Sequence, residues 1–315
     1  MKNAYSSTNV WHLLGAGSLG CLFAAYLQRA GVKLELIVRD DSTLEQLHAN
    51  GGITLLRDNV NETVAVAATT PSCVHAPITQ LLICTKAQQT LDAIAAIKTR
   101  IAGDARIVLM QNGMGVREQL QRELPDAIIL HALSTEGAFR GARFHITHAG
   151  AGETSIGAIE AYRQIFAKDV VQALQCERPI VFVSDIERRL WLKLAVNSVI
   201  NPLTAIHRCR NGELSKLDNI ETIITQLCEE FARVAQMERI DLSAAQLRDE
   251  VFRVMRVTAD NKSSMLQDIE AGRATEIEFI NGFIVQRAHR HGVACAEHAR
   301  LIALIHAREA AACAP

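Results

Sequence analysis

Lys193, Asn197 and Asn201 recur at four-residue steps in the segment Trp191-Leu-Lys-Leu-Ala-Val-Asn-Ser-Val-Ile-Asn-Pro-Leu-Thr204. Such steps share one face of a helix, so an ammonium and two amides form a polar row among Leu, Ala, Val and Ile. A lysine in a water-poor cleft can stabilise and protonate a developing oxygen anion, while amides fix a small polar ligand without adding net charge. The competing reading is a solvated stripe. Asparagine is a poor interior helix residue, and two in register with a lysine favour a row that faces a cleft. Pro202 is expected to bend or end the helix just beyond the row.

A second chemical signal is Gly15-Ala16-Gly17-Ser18-Leu19-Gly20, which follows the strand-like run from Val10 and precedes the helical pattern from Cys21 to Arg29. In a dinucleotide-binding unit the first glycine of such a G-x-G-x-x-G loop makes the tight turn. The second lets a pyrophosphate approach the backbone, and the third lets helix and strand pack closely. A glycine-rich turn alone is the plain alternative. The strand, loop, helix and second strand near Leu34 supply the context that favours binding. That second strand ends at Arg39, which suits the 2'-phosphate of NADP, whereas Asp40 and Asp41 right after it either cap the next helix or supply an acidic ribose contact.

The third signal is Asp260-Asn261-Lys-Ser-Ser264-Met-Leu-Gln-Asp268, followed by Arg273-Ala-Thr275-Glu276 and a run to Asn281-Gly282. Ser263 or Ser264 reads as a helix N-cap, and Thr275 as the cap of the next helix. Capping and ligand binding can coexist, and spacing does not separate them.

The elements that must carry these residues differ between the two halves. Short apolar runs at Val10–Leu14, Leu34–Val38, Leu81–Cys84, Ile107–Met110 and Ile128–Leu130 alternate with helical patterns, which predicts a parallel sheet with crossover helices. Runs at 144–148, 153–156 and 179–183 read as strands that extend it with antiparallel pieces. After Asp185 the apolar period is near 3.6, predicting an all-α C-terminal domain. The expected fold class is therefore α/β: an N-terminal Rossmann-like dinucleotide-binding domain over 1–184, then a helical substrate domain over 185–315. A length of 315 residues suits two domains. The start at 1–9 and the tail at 310–315 read as frayed.

With 33 basic against 34 acidic residues and a net charge of -1, no global field would draw nucleic acid or an anionic membrane. Eight scattered cysteines without metal-ligand spacing read as free thiols in a reducing cytoplasm, with no metal expected. The uncharged stretch between Lys2 and Arg29 is broken by His12 and the three spaced glycines, so it is read as part of the fold and not as an export signal.

Taken together the motifs resemble the ketopantoate reductase (2-dehydropantoate 2-reductase) family. The resemblance rests on Gly15 to Gly20, Thr85-Lys86-Ala-Gln-Gln89, Gln111-Asn112-Gly-Met-Gly115, Leu190 to Asn197, Asn201-Pro-Leu-Thr204, Asn211-Gly-Glu-Leu214, Ser263 to Asp268 and Thr275 to Gly282, in order from about residue 10 to 309. It implies a Rossmann-like domain joined to a helical one, with the site in the cleft between them, and NADPH-dependent reduction of ketopantoate to pantoate on the way to pantothenate and coenzyme A. It further implies Lys193 as proton donor, and Asn197, Asn201, Asn211 and Ser264 as substrate ligands with Asn261 beside them. Glu276 would contact the cofactor near the reacting centre, Lys86 and Asn112 would line the nicotinamide end, and Ala138 would touch the cofactor through its backbone. The partners expected are the small substrate alone, without nucleic acid or membrane, in a monomer or homodimer. Two other readings stay open: a related two-domain hydroxy-acid dehydrogenase acting on another 2-keto acid, and a catalytically silent NADP(H) sensor.

Overall fold

The computed structural model describes residues 10–75 and 77–313. The polar start at 1–9 lies outside them. Two compact units emerge, one formed by residues up to Gln111 with Val116–Glu187, the other by Asn112–Gly115 with Arg188 onward.

The first unit opens with β1 (Trp11–Leu14), α1 (Ser18–Arg29), β2 (Leu34–Ile37), α2 (Asp41–Ala49), β3 (Ile53–Arg57), β4 (Val60–Val64) and β5 (Ala67–Thr69). It continues with β6 (Ile78–Ile83), α3 (Thr90–Ala95), β7 (Ile101–Leu109), α4 (Val116–Glu123) and β8 (Ile128–Ser134). β9 (Gly137–Arg140), β10 (His145–Gly150), β11 (Thr154–Gly157), α5 (Gln164–Ala173) and β12 (Ile180–Phe182) complete it. The main sheet has eight strands in the order β12-β11-β8-β7-β6-β1-β2-β5. From β8 to β5 the pairs are parallel, and β11 pairs antiparallel with β8. The parallel strands are buried almost continuously, as expected where helices cover both faces. The chain leaves β1 for β2 on one side and crosses back to β6 on the other, so the order reverses between β1 and β6. Ligands of open α/β sheets bind at the carboxyl ends of strands flanking such a switch point.

One expectation is corrected. The run at Phe144–His148 does not extend the main sheet. As β10 it joins a second sheet of four strands, β4-β3-β10-β9, in which β10 runs parallel to β3 and antiparallel to β9. α1 lies against β1 and β2 on one side and β3, β4, β9 and β10 on the other. Eight consecutive residues of α1, Gly20 to Leu27, are buried. A helix covered on every side needs apolar residues on every side, which explains why α1 carries no charge before Arg29.

The second unit is helical: α6 (Ile186–His207, beginning at the end of the first unit), α7 (Ile220–Met237), α8 (Ala244–Val257), α9 (Ser264–Glu270), α10 (Ile277–Arg290) and α11 (Ala296–Cys313). Its core centres on Trp191, whose ring meets Phe231 and Phe283 edge to face with centroids 5.7 and 5.8 Å apart. α11 persists through Cys313, so the tail expected to fray from 310 stays helical that far, and only 314–315 lie outside the described residues.

Pro202 does not end α6. The helix continues five residues beyond it. A proline lacks the N–H that would bond the carbonyl four residues earlier, here that of Ser198. The Asn281 side chain of α10 donates Nδ2 to that carbonyl at 2.9 Å, replacing the lost bond. Asn281 Nδ2 also donates to His298 Nδ1 at 3.0 Å, and His298 Nε2 donates to the Leu227 carbonyl at 3.1 Å. Burial lowers the His298 pKa to about 4, which keeps the ring neutral and able to accept at Nδ1.

Candidate active site

The glycine loop sits at the carboxyl end of β1, and Cys84–Lys86 at that of β6, the two strands that flank the switch point. Gly15 has φ +110°, and a Cβ there would lie 2.8 Å from the Thr85 backbone nitrogen. Gly20 is tighter still, because a Cβ would fall 2.0 Å from the Gly15 carbonyl oxygen. Gly17 differs. Only the Cys84 carbonyl oxygen comes within reach of an added Cβ, at 3.9 Å, so this glycine leaves open the approach that a bulky anion needs. Gly17 is also the N-cap of α1 and supplies no side-chain cap, and the first N–H groups of a helix have no partner inside it. A helix N-terminus with uncovered donors behind a glycine attracts a pyrophosphate, so these residues fit a dinucleotide.

At the end of β2, Asp40 is the N-cap of α2 and accepts from the Thr43 N–H at 2.8 Å and hydroxyl at 2.6 Å. Those bonds and the Arg39 guanidinium hold its carboxyl down at about 2. Asp40 is thus engaged in capping, while Arg39 is 79% exposed and uses Nε toward Asp40 at 2.9 Å. Asp41 is exposed in the first turn of α2. Lys86 is half-buried at the start of a single 3-10 turn after β6. Ala138 lies on β9, the edge strand of the second sheet, opposite His148. Next to it, Glu136 is buried between Arg178 and His148, at 2.7 Å from each. His148 Nδ1 meets the Tyr26 hydroxyl of α1 at 3.1 Å, tying the second sheet to the helix that begins at the glycine loop.

In the helical unit, Lys193, Asn197 and Asn201 do share a face of α6, and none is exposed: the first two are half-buried and Asn201 is 7% accessible. The row is therefore only partly open to solvent. Burial pushes the Lys193 ammonium from the ordinary 10.5 down to about 8, opposed by the negative charge of Glu276. Glu276 is buried immediately before α10, as its N-cap. Thr275 therefore is not the cap itself, although its hydroxyl accepts from the Ile277 N–H at 3.3 Å.

The paired serines separate in the structure. Ser263 is buried as the N-cap of α9, accepting from Leu266 N–H at 3.1 Å, with its hydroxyl 2.7 Å from that of Thr204. Ser264, one residue on, is exposed. Asn261 is also exposed, and its carbonyl accepts from the Asn211 N–H at 3.0 Å. Asn112 falls with the helical unit and not with the sheet it follows. Its neighbours hold it there: Met114 N–H donates to the Phe279 carbonyl at 2.8 Å, and a Cβ on Gly113 would sit 2.5 Å from the same oxygen.

One cluster had no spacing signal in the sequence. Ligand atoms of Glu230, Cys295 and His298 lie within 4.8 Å of one another, all buried. The carboxylate and the imidazole are committed to the protein, however. The Glu230 carboxylate accepts from the N–H groups of Glu297 and His298 at the start of α11, and the histidine makes the two bonds given above. The cluster is a structural cap that joins α7 to α11.

A Rossmann-type sheet with a glycine loop at its switch point, and a helical unit that carries a half-buried lysine beside a buried carboxylate, define the oxidoreductase class. Residues 11–161 match the ketopantoate reductase PanE/ApbA family and residues 185–309 match the ketopantoate reductase PanE/ApbA C-terminal family. The chain is 35% identical to the 2-dehydropantoate 2-reductase of Vibrio cholerae over 286 residues, covering 90% of this chain and 92% of that protein. It superposes on a PanE/ApbA family ketopantoate reductase from Ralstonia eutropha with a TM-score of 0.86 and 26% identity, over 96% of this chain and 99% of that one. D-mandelate dehydrogenase, solved with NADH and anilino(oxo)acetate, shares the fold at a TM-score of 0.90 and 23% identity, over 96% and 99% of the two chains. The chain belongs to the ketopantoate reductase family.

Among the described residues no helix is long and apolar enough to cross a membrane.

Proposed function

We propose that this protein reduces ketopantoate to pantoate with NADPH, the step that supplies pantoate for pantothenate and coenzyme A. The observation that carries the reading is the half-buried Lys193, brought down to about 8 by desolvation beside Glu276 on a helix whose same face presents two amides. NADPH supplies the hydride; the chain's residues do the rest. The first unit, taken as 1–184, holds the dinucleotide through Gly15, Ala16, Gly17, Ser18, Leu19 and Gly20, with Arg39 on the 2'-phosphate and Lys86 and Ala138 as further contacts. Asn112 and Glu276 serve its reacting end. The helical unit, taken as 185–315, holds the keto acid through Asn197, Asn201, Asn211, Asn261 and Ser264. Lys193 stabilises the charge that builds on the ketone oxygen and then protonates that oxygen from Nζ. A pKa near 8 suits that role, because the group is charged at neutral pH yet gives up its proton more readily than an exposed lysine. The protein acts in the cytoplasm on a small molecule and needs no metal.

The direct test is absorbance at 340 nm with NADPH and ketopantoate as the only acceptor. No oxidation above the enzyme-free rate would remove this reading. Arg39→Ala should weaken NADPH use by about 10- to 100-fold, the worth of a charge-assisted hydrogen bond, and leave NADH use within about twofold. Equal losses with both cofactors would show that Arg39 does not read the phosphate. Asn197→Ala and Asn201→Ala should each raise KM for ketopantoate by about tenfold, as for loss of one hydrogen bond in a desolvated site, while NADPH affinity measured by calorimetry stays nearly constant. A matching fall in NADPH affinity would assign the row to the cofactor or to folding.

A further inference from the structure

Asn211 is placed by backbone bonds on both sides. Its own N–H donates to the Asn261 carbonyl and the Gly212 N–H donates to the Ala259 carbonyl, each at 3.0 Å. Glycine is required at 212, since a Cβ there would lie 2.6 Å from the Ala259 Cβ. The segment is thus clamped against the residues that leave α8, and the Asn211 side chain, 7% exposed, has little freedom.

Its amide orientation is set by a residue with no earlier role. Thr258, at the end of α8, has its hydroxyl 2.6 Å from the Val254 carbonyl oxygen. A carbonyl oxygen can only accept, so the single hydroxyl proton of Thr258 goes to Val254. Toward Asn211, 2.9 Å away, the same hydroxyl oxygen can then only accept, and the group facing it must be the amide NH₂. Asn211 Oδ1 is consequently turned the other way. It is buried and has no hydrogen-bond partner among the described residues of the protein. A buried amide oxygen left without a donor is costly, and a ligand donor that reaches it restores the bond.

We infer that Thr258 is a positioning residue that holds Asn211 with its oxygen turned away and left for a ligand donor, so that the site selects 2-oxo acids carrying a hydroxyl donor over those that lack one. This rests on the reading that Asn211 holds the substrate. A carboxylate or a ketone oxygen cannot satisfy Oδ1, because neither donates. A hydroxyl can, and rejection of the analogue without it follows from leaving the acceptor buried and unpaired.

The experiment compares ketopantoate with the analogue in which a methyl group replaces its hydroxymethyl group, using wild type, Thr258→Val and Thr258→Ser. Wild type should prefer ketopantoate by at least about 100-fold in kcat/KM, the lower end of what an unpaired polar group imposes with its lost contact. Thr258→Val frees the amide to turn, so kcat/KM for ketopantoate should fall about tenfold, chiefly through KM, while that for the analogue stays within about twofold. Thr258→Ser, which keeps the hydroxyl, should restore the preference, and NADPH affinity should be the same in all three. A parallel loss on both substrates, no loss in Thr258→Val, or no preference in wild type would overturn the positioning role. Thr258→Ala is the check should valine crowd the turn, with the same expected loss of preference. Two failures are distinguishable. Wild-type turnover of ketopantoate unaffected by Thr258→Val removes the positioning and leaves the reaction standing. Turnover of another hydroxylated 2-oxo acid in place of ketopantoate, with the preference lost in Thr258→Val, removes the substrate assignment and leaves the positioning standing.

Discussion

Lys193→Ala should lower kcat by about 100- to 10,000-fold, the usual loss on removing a general acid. The side chain combines proton donation with charge stabilisation, so both disappear together. Its pH behaviour makes the sharper test. Burial brings the ammonium down to about 8 and Glu276 holds it from falling further. Wild-type activity should therefore decline as pH rises through about 8, and the alkaline limb should vanish in Lys193→Ala. Glu276→Gln removes the charge that raises the lysine pKa, so its alkaline limb should move to lower pH with a smaller loss of kcat. A limb left in place by Glu276→Gln would separate the two residues. Activity of Lys193→Ala within about tenfold of wild type would contradict the acid role. Thermal stability is a useful control. Folding lowers this pKa, so between about 8 and 10.5 the unfolded chain binds more protons, and the group's contribution to stability rises with pH across that window. At pH 7 the buried charge is a cost, so replacing it should not lower Tm.

The glycine loop should separate folding from binding within three residues. Gly20→Ala places a methyl 2.0 Å from the Gly15 carbonyl oxygen and 3.1 Å from the Cys84 Cβ, so the backbone must move. Overpacking of this kind costs about 1–3 kcal/mol, and Tm should drop by several degrees along with dinucleotide binding. Gly17→Ala meets nothing closer than 3.9 Å and has an ordinary φ of -78°, so the folded protein should accept it with Tm almost unchanged. Its methyl nevertheless occupies the approach to the first N–H groups of α1. NADPH affinity should fall at least about tenfold, or ~1.4 kcal/mol. Calorimetric titration with NADPH checks both variants. Wild-type affinity in Gly17→Ala would mean that the loop is a packing turn and not a phosphate cradle.

Much of this was legible because it is local. The strand-loop-helix order around Gly15 to Gly20 and the four-residue row from Lys193 depend only on backbone periods of 2 and 3.6. The parallel sheet followed from alternating apolar runs, and the helical half from its period. The second sheet was hidden because β4, Val60-Asn-Glu-Thr-Val64, is mostly exposed and polar, and because β3 pairs with β10 some ninety residues later in the chain, Thr54 opposite His145. No local pattern encodes such a partner. The expectation that Pro202 could end the helix failed for a similar reason. A proline's effect on a helix depends on what becomes of the carbonyl it orphans, and a side chain 83 residues away settles that.

By itself the sequence determined the family, the order of sheet and helices, and the residue types able to do the chemistry, since each is written in short-range spacing or in the motifs that carry the resemblance. Tertiary structure decided what state those residues are in. It half-buried Lys193 and Asn197, buried Asn201, and brought Glu276 close enough to oppose the fall in the Lys193 pKa. It assigned capping to Asp40 and Ser263, leaving Arg39 and Ser264 exposed, and it turned the Asn211 amide through Thr258. Desolvation, charge proximity and hydrogen-bond direction depend on which groups meet in space, and groups distant in the chain meet only once it has folded.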